Sequence, residues 1–161
     1  MKRILLIMLT LVFFAGCGTT SSKVEDANAA SDMTVEAPVV GALDGVEVAG
    51  YCPVAYVEAG KPVKGSAEYA SVRDGKTYWF VNEGARDLYE KSPNKYDVAY
   101  DGWCATGLAY GKRIPSDPTV FSVHDGRVFL FSNADAKAAF EADVARLTAD
   151  ADTNWSSLAS K

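Results

Sequence analysis

"SVRDGKTYWFVNEGARDLYEK" (Ser71–Lys91) and "SVHDGRVFLFSNADAKAAFEA" (Ser122–Ala142) are one pattern written twice, about fifty positions apart. Ser-Val, Asp-Gly, Phe, Asn, Ala and Glu coincide, and Lys76 falls on Arg127, Tyr78 on Phe129, Arg86 on Lys137 and Tyr89 on Phe140. Agreement over such a stretch marks a duplicated supersecondary unit. Asp74-Gly75 and Asp125-Gly126 sit between runs of β-branched and aromatic residues. Asp-Gly supplies the positive φ angles of a two-residue hairpin turn, so strands are expected near 68–72 and 76–81, and again near 120–123 and 127–131. Asn82 and Asn133 stand where a side chain can accept from the free amides of a first helical turn. The first helix, near 83–90, offers Ala85, Leu88 and Tyr89 on one face, and Ser92-Pro93 ends it. The second, from Ala134, offers Ala136, Phe140, Val144 and Leu147 at helical spacing. The fold class is α+β: one small domain of two pseudo-repeated β-hairpin–helix units, about 48–95 and 100–147.

The echo continues upstream. "GYCPVAY" from Gly50 and "GWCATGLAY" from Gly102 put Cys52 on Cys104, and Lys61 falls on Lys112. Residues 54–57 suit a strand, and 105–109 a short helix. "ADTNWSSL" supplies Trp155 and Leu158 as a C-terminal clamp on the core.

The first residues, "MKRILLIMLTLVFFAGC", join a positive start to an apolar run too short for a comfortable membrane span, then small residues before Cys17. This layout resembles a bacterial lipoprotein signal. The resemblance implies removal of residues 1–16, acylation of Cys17, and a membrane anchor that does not span. Residues 17–41 are rich in Ser, Thr, Ala and acids, and read as a tether with a mean span of roughly 25–30 Å. The domain then occupies residues 42–161, in the cell envelope on the periplasmic or extracytoplasmic side. The net charge is −5, and no basic cluster interrupts the domain, which argues against nucleic acid as a partner.

From about Val48 to Leu158 the chain resembles the YHS-domain lipoproteins and secreted proteins of bacteria. The matching motifs are "GYCPVAY", "GKPVKG", "GKTYWF", "ARDLYEKSPNKY", "DGWCATGLAYGK", "DGRVFLF" and the late Trp155. The resemblance implies a small α+β domain and, for the wider family, an association with transition metals. The further cysteines of metal-associated members align with Val81 and Ala85 here. In lipoprotein relatives the position of Cys52 is commonly Asp, whereas Cys104 matches a cysteine they often carry.

If the copies pack about a pseudo-twofold axis, Cys52 and Cys104 face each other. One outcome is a structural disulfide, which an oxidising compartment favours. The other is a soft-metal site, since two thiolates suit Cu(I). Two separate buried thiols, or a reactive pair, complete the alternatives. Tyr51 and Trp103 flank the cysteines and are expected to line one pocket, with room for a small aromatic ligand or a haem. Zinc is disfavoured, because there is no CxxC and the only histidine, His124, falls on a hairpin flank opposite Arg73. No nucleophile–base set or phosphate loop appears, so the expected role is non-enzymatic. The sequence therefore predicts a membrane-anchored binding module, with copper as the candidate ligand. The alternative is a disulfide-stabilised domain that takes a protein partner or small ligand without metal.

Overall fold

The computed structural model describes residues 45–159. The expectations for the signal, the tether and Cys17 lie outside the described residues. Among those described, the protein is α+β, with two antiparallel two-stranded sheets and six α-helices.

Each copy runs through the same steps. A left-handed turn comes first, Glu47–Gly50 and Ala99–Gly102. A short helix follows, α1 (Pro53–Glu58) and α4 (Ala105–Ala109). A hairpin comes next, β1 (Ser66–Arg73) with β2 (Lys76–Phe80), and β3 (Asp117–His124) with β4 (Arg127–Phe131). The copies close on α2 (Glu83–Lys91) and α5 (Ala134–Glu141). The four-residue α3 (Pro93–Tyr96) leads into the second copy, and the sixteen-residue α6 (Val144–Ala159) ends the chain.

The local chemistry repeats as well. Asp74 and Asp125 adopt φ of 51° and 50°, as the hairpin turns require. Asn82 accepts from Ala85 N at 2.9 Å and Asn133 from Ala136 N at 2.8 Å, capping α2 and α5. Cys52 N donates to Val63 O, and Cys104 N donates to Ile114 O.

Two expectations are revised. Residues 54–57 are helical rather than extended, because Pro53 occupies the first helical position, where its fixed φ suits a helix and its missing N–H costs nothing. The helix from Ala134 does not continue through Val144 and Leu147. It stops at Glu141, and Asp143, which accepts from Arg146 N, starts α6 afresh.

The core divides into three clusters. The first copy buries Cys52, Phe80, Ala85, Tyr89 and Tyr96 together. The second buries Cys104, Leu108, Phe129, Phe131 and Phe140 with Leu147 and Ala151 of α6. The third joins the copies: Val48 and Tyr56 of the first pack on Val128, Leu130 and Phe121 of the second. Successive β4 side chains point to opposite faces, so one short strand serves two clusters. Tyr56 is fully buried, stacks edge-on to Phe121 at 4.9 Å, and donates its hydroxyl to Pro118 O at 2.8 Å.

This joint is not a pseudo-twofold. The reciprocal residues, Tyr100 and Leu108, pack within the second cluster rather than on the first hairpin. The outer face of the first hairpin carries Ala70 and Thr77 where the second carries Phe121 and Val128. Only the second is apolar enough to be buried, so the copies stack front to back, a heterologous contact.

Gly65 tests the close packing of the first copy's chain against β2. A Cβ there would lie 2.5 Å from the backbone carbon and oxygen of Trp79, with no flexible side chain to yield. Gly65→Ala is expected to cost about 1–3 kcal/mol, read as a lower urea midpoint, and an unchanged midpoint would refute the close approach.

Candidate functional site

The two cysteines occupy equivalent positions but do not meet. Each precedes the short helix of its copy, both are free, and each is buried in its own cluster. The structure therefore does not assemble the expected pair, either as a bridge or as a two-sulfur metal site. The physical reason is the front-to-back stacking, which fills the joint with Tyr56, Val48, Val128 and Leu130. Among the described residues, no group of three or more His, Cys, Asp or Glu is placed to hold a metal ion.

Tyr51 and Trp103 are likewise equivalent and separate. Tyr51 packs on the joint cluster with Lys64 Nζ 4.4 Å from its ring centroid. Trp103 packs on the second cluster, where the Arg113 guanidinium lies 5.7 Å from its ring. Each ring carries its own cation rather than forming one wall of a shared pocket. His124 is half-buried rather than a solvated flank: its ring lies near Phe129 and Phe140, and Glu141 is 4.0 Å away.

The repeat does create a pair of grooves, which sequence reasoning missed. In the first copy Val54, Ala55, Val63, Val81, Ala85 and Leu88 line an apolar groove of about 470 Å³. The second copy's groove, about 190 Å³, is lined by Cys104, Thr106, Gly107, Lys112, Ser132 and Ala136. These are equivalent surfaces, each bounded by the short helix, the segment after it, the end of the hairpin and the next helix. The signal was present in the alignment of the two copies, since Ser132 falls on Val81 and Ala136 on Ala85.

The second groove has directed chemistry. Cys104 Sγ accepts from Gly107 N at 3.4 Å and lies 3.7 Å from Ser132 Oγ. Thr106 Oγ1 donates to Ala136 O at 2.6 Å, which ties α4 to α5 across the groove floor. Gly107 is required there, because a Cβ would lie 3.0 Å from Ile114 Cγ1 and from Lys112 O. Tyr110, 62 % exposed, stands at the rim.

α6 braces this half through a polar contact. Arg127 donates to both carboxylate oxygens of Asp152, at 2.9 and 3.1 Å, and Tyr100 donates to the same group at 2.9 Å. The hydrogen bond from Arg127 holds the Asp152 carboxyl below its ordinary range, against a smaller opposing effect of burial. Burial pushes the Tyr100 hydroxyl up, so it stays a donor.

Comparison with protein-family models, with curated proteins and with solved structures finds no match to this chain.

The lowered carboxyl sets a pH dependence. A group with a depressed folded pKa contributes its full stabilisation above its unfolded pKa and loses it as pH falls through the folded value. Asp152→Asn is thus expected to lower Tm at neutral pH and to lose that difference as pH falls below the ordinary carboxylate range. The side chain is half exposed, so the effect stays at about 1 kcal/mol or below. A Tm difference that is independent of pH would contradict the pairing.

Proposed function

We propose that the protein is a non-enzymatic binding module, anchored outside the cytoplasmic membrane through Cys17, that takes a small ligand in the Cys104 groove. One observation carries this reading: of two equivalent grooves, the first is lined mostly by aliphatic side chains, with Glu58 and Asn82 among them, while the second is lined by Cys104, Thr106 and Ser132 beside Ile114 and Ala136. The groove suits a compact ligand with an apolar body, because concave apolar walls supply burial and a few polar groups fix orientation. A copper site drawn from both cysteines is not supported, since it needs two sulfurs at one ion and the two thiols lie in separate clusters.

The full chain, purified in non-ionic detergent without reductant, tests this. Intact mass is expected to show both domain thiols reduced. Iodoacetamide is expected to spare Cys52 and Cys104 in the folded protein, where both are buried, and to alkylate both after unfolding. A mass two protons short, or stoichiometric copper with both thiols protected, would sink the reading.

A further inference from the structure

The second copy shows how one cavity of the first came to be open. In the second copy the Tyr100 ring lies 6.0 Å from Phe129, and its hydroxyl, with Arg127, grips Asp152 of α6. The equivalent space is thus filled by a tyrosine and covered by a helix. In the first copy Val48 stands for Tyr100, Tyr78 for Phe129 and Lys76 for Arg127. The short α3 follows α2 where the long α6 follows α5. The smaller side chain and the missing cover leave a cleft of about 180 Å³, lined by Glu47, Val48, Lys76, Tyr78, Val98 and Asp101, among others.

The charges in this cleft do not balance. Its cations are already engaged, Arg73 with Asp97 at 2.6 Å and Lys76 with Asp101 at 2.5 Å. Glu47, which replaces Ala99 of the second copy, adds a further carboxylate. Among the described residues it accepts no hydrogen bond, and Lys76 acts on it only through space. Burial pushes its carboxyl above the ordinary range, and the nearby Asp101 adds to this. A half-buried carboxylate without a bonded counter-charge, beside an aromatic ring and two valines, has the donor set of a cation site with an apolar wall.

We propose that this cleft binds a compact, soluble organic ammonium ion, its charged head between Glu47 and the Tyr78 ring and its carbon body against Val48 and Val98. The site is separate from the Cys104 groove and stands or falls independently of it.

Titration of choline chloride and of ethanolamine hydrochloride into the full chain, in non-ionic detergent at constant ionic strength, tests the proposal. Saturable shifts of backbone amides are expected at Val48, Tyr78 and Val98. Glu47→Gln is expected to weaken binding at least about tenfold, the loss of one charge-assisted contact. Val48→Tyr restores the side chain that fills the second copy and is expected to abolish binding. The left-handed backbone at position 48 already accepts a tyrosine at its counterpart, Tyr100. Absence of saturation with both amines overturns the proposal, as does wild-type affinity in a folded Glu47→Gln protein. Should Val48→Tyr fail to fold, Glu47→Gln alone decides.

Discussion

Tyr56 is the side chain on which the two halves depend. Its ring fills the joint against Phe121 and its hydroxyl satisfies the Pro118 carbonyl, so one residue supplies both apolar contact and the polar partner a buried backbone group needs. Burial pushes that hydroxyl well above its ordinary range, so it remains a donor. The remaining joint residues complete a surface that only the second hairpin can offer. Two-stranded sheets are marginal alone. Here each gains a face from its own helices, and the second hairpin gains another from the first copy.

The left-handed turns bring each copy to its cysteine. Val48 and Ala49 adopt φ of 53° and 50°, Tyr100 and Asp101 φ of 60° and 53°. Non-glycine residues avoid this region, and a β-branched valine there costs roughly 1–3 kcal/mol. Val48 is offset by its burial in the joint and by the amide of Tyr51, which donates to its carbonyl. The same irregular backbone appears twice, at equivalent points, so it belongs to the unit rather than to one copy.

Much of the fold was legible in the sequence because hairpin turns and caps are local. Asp-Gly and Asn announced both hairpins and both helices, and the short helix at 105–109 was also readable. The stacking was not, because it turns on which hairpin face is larger, a comparison of Ala70 and Thr77 with Phe121 and Val128 made only across the fold. The cysteine echo gave equivalence correctly and proximity wrongly, since equivalent residues meet only when the copies are related by a closed twofold. The charged cleft was not legible either, because it arises where the copies differ, with Glu47, Val48 and Tyr78 standing for Ala99, Tyr100 and Phe129.

The front-to-back stacking gives the array a direction, and α6 acts as its terminator. On the second copy, α6 covers the α4 surface that corresponds to the one α1 uses at the joint. Growth by further duplication is therefore closed at that end unless the helix is displaced. At the other end, the outer face of the first hairpin carries Ala70 and Thr77 where the joint uses Phe121 and Val128, so it offers a further unit too little apolar area. The two outer surfaces thus limit the stack to two units, one by a helix that covers the joining surface and the other by side chains too small to make it.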